Sequence, residues 1–290
     1  MSRGRSVINA QYYQIGSDAL RALLYEVTTF PKPGLVDPVA QGPHPDMNVF
    51  TFIDSSVGLR HYFDQCIDAG ATFTGNDLIK LFQAIRSFGI DAEKTMFKNT
   101  KGVNTHKGAI FSLGVLVTAE SFRISNLELK FSIMEIVKRM LKGLTENDFK
   151  DIKNKNPEEL TIGEREYLTH GIKGIRGEAE SGFPVLTEFA LPALKRSQGS
   201  TNERLLDTLM SILGNSIDTN LIKRANSVEI IDWAKQQSTK YFELGGSRTE
   251  EGMNFLKYLN EEFDKKNLSL GGSADLLILT IFIGFREGLL

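Results

Sequence analysis

The sequence predicts an all-α fold, a single multi-helix, bundle-like domain spanning 1–290 with functional loops at the helix ends. Three observations predict it. Apolar residues recur at a spacing near 3.6 along most of the chain. No run alternates apolar and polar residues between hairpin turns, so no strand is expected. With 290 residues, 41% of them hydrophobic and 24% charged, the chain can bury a large core beneath an ordinary polar surface.

The elements follow in order. Residues 8–29 place Ile15, Ala19, Ala22, Leu23 and Val27 on one helical face. Five of the eight prolines then fall at Pro31, Pro33, Pro38, Pro43 and Pro45. Proline fixes φ and disfavours helix at the residue before it, so this segment is a stiff, irregular connection. Helical spacing resumes over 50–70, with Phe52, Ser56, Leu59 and Phe63, and again over 76–98. The next helix covers 105–123, with Asn104 or Thr105 as N-cap. That start puts His106 and Lys107 against the positive end of the helix dipole, where acids are favoured. An anion docked on the free N–H groups would reverse the sign of that mismatch. A helix over 127–142 is followed by a charged, irregular excursion from Thr145 to Glu166, and then by a glycine-rich loop, Gly174-Ile175-Arg176-Gly177-Glu178-Ala179-Glu180-Ser181-Gly182. Helices over 183–197, 202–217, 227–244, 248–265 and 273–288 complete the chain, with Asp218-Thr219-Asn220 opening a short extra element.

Composition excludes several classes. A net charge of −2 argues against a general nucleic-acid or anionic-membrane binder. The single cysteine, Cys66, excludes an internal disulfide framework and a thiolate zinc site, and its apolar neighbours predict a buried thiol. The apolar runs near both ends are too short for a signal peptide or a membrane span, so a cytoplasmic protein is expected. No Walker phosphate loop, Rossmann turn, zincin helix or nucleophile elbow is present.

What remains is polar chemistry concentrated at loops. The proline segment carries Lys32, Asp37, His44 and Asp46, more charge than a cap over the core needs. Arg176 can grip phosphate in two-pronged fashion, and Glu178 with Glu180 can hold a hard cation. In Gly271-Gly272-Ser273-Ala274-Asp275, Ser273 reads as an N-cap and Asp275 as an acid favoured by the helix dipole.

Taken together and in this order, these segments resemble the triphosphoribosyl-dephospho-coenzyme A synthases, which make the prosthetic-group precursor of citrate lyase and malonate decarboxylase. The resemblance rests on Pro31-Lys32-Pro33-Gly34-Leu35-Val36-Asp37, on His44 with Asp46-Met47, and on Gly102-Val103-Asn104-Thr105-His106-Lys107-Gly108. Arg176-Gly177-Glu178-Ala179, Asp218-Thr219-Asn220 and Gly271-Gly272-Ser273-Ala274-Asp275-Leu276 extend it to nearly the whole chain. The sequence departs from the family pattern at Pro38, Asn48, Lys101 and Ala225-Asn226. The resemblance implies an all-helical transferase. In it the 2′-hydroxyl of 3′-dephospho-coenzyme A displaces adenine from the ribose of ATP, and magnesium accompanies the triphosphate. It implies nucleotide contacts from Lys32, Asn104, His106, Lys107, Arg176 and Ser273. Metal ligation is expected from Glu178, Glu180 and Asp37, and catalysis from Asp46 as general base with Asp37 and Glu178, Asp218 and Asp275 standing behind them. A holo-transferase that loads the acyl-carrier subunit is the expected downstream partner, and a homodimer is compatible with the sequence. The same acids could instead activate water, giving a metal-dependent nucleotide N-glycosidic hydrolase. A non-enzymatic module that binds a coenzyme A derivative is the other alternative.

Overall fold

The computed structural model describes residues 2–290 and is helical throughout, with no strand among the described residues. Helix α1 (Ser2–Thr28) leads into the proline segment, where the Phe30–Pro31 bond is cis. There follow α2 (Val49–Gly58), α3 (Arg60–Thr72), α4 (Leu78–Asn99) and α5 (Lys107–Ser125). Shorter helices come next: α6 (Ile133–Met140), α7 (Leu144–Phe149), α8 (Ile162–His170), α9 (Gly174–Glu180) and α10 (Leu191–Arg196). The chain ends with α11 (Thr201–Asn215), α12 (Thr219–Ala225), α13 (Ile230–Glu243), α14 (Glu250–Lys265) and α15 (Gly271–Arg286).

The differences from expectation are local. The helix expected over 50–70 breaks at Leu59, whose N–H bonds to Ser56 O, three residues back. That expected over 127–142 begins late, because Ser132 and Glu135 form a reciprocal capping box that starts α6 at Ile133. The expected irregular excursion contains α7 and the start of α8, the latter opened by a Thr161–Glu164 box. The glycine-rich segment, expected as loop, is α9. Over 183–197 the chain makes a π-helical turn at Val185–Ala190 before α10.

Helices α5 and α15 are the two axes of the core. Ile110, Leu113, Val115, Leu116, Val117 and Phe122 of α5 and Leu276, Leu277, Leu279, Ile281 and Phe282 of α15 are buried in one apolar cluster. Truncating a core leucine such as Leu113 to alanine costs about 2–5 kcal/mol. Helix α3 lies along α5, tied by Tyr62 Oη donating to Ile110 O at 2.9 Å and Ser121 Oγ donating to Ile67 O at 2.6 Å. Cys66 is buried at this contact, and burial pushes its thiol up to about 12, which makes it a packing residue. Among the described residues α5 alone is long and apolar enough to cross a membrane by length and composition, and most of it is buried inside the protein.

At the C-terminal ends of α5 and α15 the core holds a cluster of charges. Arg286 reaches Asp18 of α1 at 3.0 Å and Glu120 at 3.1 Å. Arg123 closes on Glu120 at 2.7 Å and Arg21 on Asp18 at 3.2 Å. Each buried acid there has a guanidinium on both sides. The opposite ends of the same two helices are built differently.

Candidate active site where α5 and α15 begin

Two loops bring the N-termini of α5 and α15 together. His106 occupies the N-cap of α5 without a side-chain cap, in place of the expected Asn104 or Thr105, and Asn104 Oδ1 accepts from Lys107 N at 3.2 Å in the turn before it. Helix α15 begins at Gly271. Asp218, the N-cap of α12, is buried and accepts from Asn220 N, Leu221 N, Ser273 N and Ser273 Oγ at 2.7–3.2 Å. Gly272 leaves room for this clamp, since a Cβ there would lie 3.0 Å from Asp218 Oδ1 and crowd it.

Asp275, one turn into α15, rests on the start of α5. A Cβ at position 108 would fall 1.9 Å from Asp275 Oδ2, so only glycine admits this carboxyl group. The Ala109 N–H also bonds to Asp275, so the end of α5 faces an acid of the protein's own. No cation pairs with Asp275 among the described residues. Burial, then the nearby Asp218 and Glu26, raise its carboxyl well above the usual carboxylate range, with the Ala109 N–H opposing.

Asp275 stands between two cavities. The inner one, about 150 Å³, lies between α1, the proline segment and α15. Its walls include Leu35, Val36, Met47, Phe52 and Ile278, with polar groups from Glu26, His44, His106, Asn220 and Ser269. The outer one, 830 Å³, opens over α9 and α12 and is bordered by Lys107, Lys173, Arg176, Glu178 and Thr219. Asn104, Lys107, Gly108, Asn220 and Asp275 border both. A third cavity of 290 Å³ continues from Lys107 and Arg176 between α3, α4 and α5, walled by Phe82, Ile85, Ile90, Phe111 and Ile175.

The expected site residues separate into two groups. Asn104, Lys107, Arg176 and Glu178 line the outer cavity, and His106 lines the inner one. Lys107 pairs with Glu93 at 2.8 Å and Arg176 with Asp148 at 3.0 Å. Glu178 Oε1 accepts from Val185 N at 2.7 Å, and burial raises its carboxyl. His106 is 1% exposed, and burial followed by the charge of Lys32 lowers its imidazole to about 3, so it is neutral near pH 7. The remainder are not brought to the cavities. Lys32, fully buried, bonds to the carbonyl and carboxylate of Glu26, and that carboxylate in turn borders the inner cavity. Burial works against charge on both partners, raising Glu26 and lowering Lys32, while their attraction opposes it. Asp37 is consumed by its own loop, accepting from Val39 N and Ala40 N at 2.8 Å. Asp46 is exposed and borders neither cavity. Glu180 turns to Thr145 N and Oγ1, and Ser273 is buried beneath Asp218. Glu178, Glu180 and Asp37 therefore form no common ligand set, and no group of three metal-ligating side chains occurs among the described residues.

Sequence reasoning left Asp275 in a supporting role and passed over Lys173, which stands exposed at the outer cavity with no carboxylate partner among the described residues. Its signal was available: Lys173 begins the same polar run as Arg176.

A half-buried acid without a cation partner, a small chamber on one side and a cation-bordered chamber on the other define a class of site, one for an anionic ligand with a compact head. The chain belongs to the CitG family, described as ATP:dephospho-CoA triphosphoribosyl transferase, whose profile matches residues 13–289. It is 59% identical over 276 residues to a probable 2-(5″-triphosphoribosyl)-3′-dephosphocoenzyme-A synthase of Lactiplantibacillus plantarum, covering 95% of this chain and 98% of that one. A similar synthase of Streptococcus equi subsp. equi is 39% identical over 287 residues, covering 93% and 95%. Protein CitXG of Leuconostoc mesenteroides subsp. cremoris is 48% identical over 280 residues, which are 95% of this chain and 59% of that longer protein. No solved structure matches the chain.

Proposed function

We propose that the protein transfers the 5-triphosphoribosyl unit of ATP to the 2′-hydroxyl of 3′-dephospho-coenzyme A and releases adenine. The C1′–N9 bond of ATP breaks with its electron pair going to the purine. The acceptor oxygen bonds to C1′, its proton passes to a base, and adenine takes up one proton as it leaves. The position of Asp275 carries this reading. It is an acid without a cation partner at the junction of two cavities, where the ribose of a bound ATP would lie. Its raised proton affinity suits a base for a hydroxyl, and its negative charge favours the oxocarbenium-like transition state of substitution at an anomeric carbon.

The outer cavity supports the triphosphate, through Lys107, Lys173 and Arg176. Glu178 is the expected metal ligand best placed to meet magnesium carried on that triphosphate. The third, largely apolar cavity suits the pantetheine arm of the acceptor. The product would pass in the cytoplasm to a holo-transferase that loads an acyl-carrier subunit.

Mass spectrometry of a mixture of protein, ATP, magnesium and 3′-dephospho-coenzyme A tests the reaction. The expected result is equimolar adenine and triphosphoribosyl-dephospho-coenzyme A, both dependent on the acceptor. Adenine released without acceptor, alongside free ribose triphosphate, would replace transfer by hydrolysis.

A further inference from the structure

His106 has one nitrogen with a partner and one without. Its Nδ1 meets Ser55 Oγ at 2.8 Å, and Thr105 Oγ1 donates to the same Ser55 oxygen at 2.8 Å. Ser55 Oγ accepts from Thr105 and meets no other acceptor, so Nδ1 is the group that takes its hydrogen. The neutral ring therefore keeps its hydrogen on Nε2. That Nε2 is buried and bonds to nothing in the protein. An orphaned buried donor is costly, so a ligand group that accepts from it gains affinity by relieving that cost. Phe52 holds the ring edge-on, with centroids 5.1 Å apart, and both residues border the inner cavity.

The inner cavity has the size and chemistry of a flat heterocycle. At about 150 Å³ it is of the order of a planar ring system in size, and its lining joins apolar faces to several polar groups that can meet ring-edge atoms. The walls given by Leu35, Val36, Met47 and Ile278 suit the faces of such a ring. The interior does not suit phosphate: Lys32 behind the wall is committed to Glu26, and the Glu26 carboxylate would repel an anion. Lys107 stands at the mouth shared with the outer cavity. An ATP lying through that mouth places its base inside, its ribose at Asp275 and its phosphates outside.

We infer that the inner cavity is the adenine pocket, and that His106, oriented by Ser55 and Thr105, donates from Nε2 to a ring nitrogen of the base. This rests on the reaction proposed above and assigns the position of the leaving group. Electron density flows into the purine as C1′–N9 breaks, so a hydrogen bond to a ring nitrogen strengthens during the step. A neutral imidazole can fill this role without surrendering its proton. The acceptors needed by the exocyclic amine are at hand in Glu26 and Asn220.

The test separates base from phosphate. Adenine and inorganic tripolyphosphate are each titrated calorimetrically into the wild-type protein, His106→Phe, Ser55→Ala and Lys107→Ala. Adenine binding is expected to weaken at least about tenfold in His106→Phe and several-fold in Ser55→Ala, with tripolyphosphate unchanged. Lys107→Ala should show the reverse pattern. In turnover, 7-deaza-ATP or 3-deaza-ATP should lose at least about tenfold in kcat/KM with wild type, and less than threefold with His106→Phe. Equal adenine affinity in the wild type and a folded His106→Phe overturns the inference. If His106→Phe does not fold, unchanged adenine affinity in Ser55→Ala does so. Adenine binding is read without turnover. A protein that binds adenine through His106 yet forms no transfer product would sink the reaction and keep this pocket. Normal transfer with a silent His106 would do the opposite.

Discussion

The two ends of the α5–α15 pair bury acids in opposite ways. At the C-terminal end, Asp18 and Glu120 each meet two guanidinium groups, and Arg286 bridges them. At the N-terminal end, Glu26 and Asp218 lie close enough to Asp275 to raise its proton affinity, and Lys32 is committed to Glu26. Hydrogen bonds satisfy Asp218. Asp275 is left with one backbone donor and the cavities. A fold that neutralises one buried acid cluster completely has the means to neutralise another, so the unpaired acid marks where stability yields to chemistry.

The largest effect that would break this contrast is on turnover. Asp275→Asn should lower kcat at least about 10²-fold while Glu120→Gln leaves it within a factor of two, measured by adenine release. Stability should move the other way. Glu120→Gln strands Arg286 and Arg123 beside a weaker partner and should cost about 3–5 kcal/mol in denaturant unfolding. Asp275→Asn should be stabilising at neutral pH. The folded carboxyl holds its proton more tightly than the unfolded one, so its full contribution to stability is present below the unfolded value near pH 4. It declines as pH rises toward the folded value. The gap in Tm between Asp275→Asn and wild type should therefore widen from pH 4 to pH 8, and a constant gap would count against an unpaired acid.

Smaller effects sharpen the comparison. Gly108→Ala pushes the Asp275 carboxyl from its seat and should reduce kcat about 10–100-fold with little change in ATP affinity. Lys107→Ala should raise the KM for ATP about tenfold and leave helix content unchanged by circular dichroism. The acid side of stability belongs to His106. Its imidazole titrates near 3 in the fold and near 6.5 unfolded, so its stabilising contribution is complete above about pH 6.5. It is lost as pH falls toward 3, and His106→Phe should flatten that loss in a thermal-melt series.

The contrast also explains how much could be read beforehand. The helical class follows from periodicity and is as expected, while α5 starts at Lys107 with His106 at its N-cap, one or two residues later than the Asn104 or Thr105 cap the polar segment suggests. The short helices α7, α9 and α12 span six or seven residues, too few turns to display a period. Site residues were legible as types but not as positions. Asp37 and Ser273 sit in motifs rich in charge, yet local backbone N–H groups and Asp218 absorb them. Asp275 looks in sequence like an ordinary first-turn acid. Its importance arises from Gly108, 167 positions away, which only the packing of α15 on α5 brings beneath it. No spacing rule encodes that contact.

The ion pairs around the outer cavity carry a consequence for how a polyanion settles there. Lys107 and Arg176 are not bare when the site is empty, since Glu93 and Asp148 already lean on them. On the proposed reaction, a triphosphate would meet Lys107 and Arg176 by exchange, its oxygens replacing Glu93 and Asp148. The same carboxylates offset the mutual repulsion of the gathered positive charge, and once displaced would favour release of the spent polyanion.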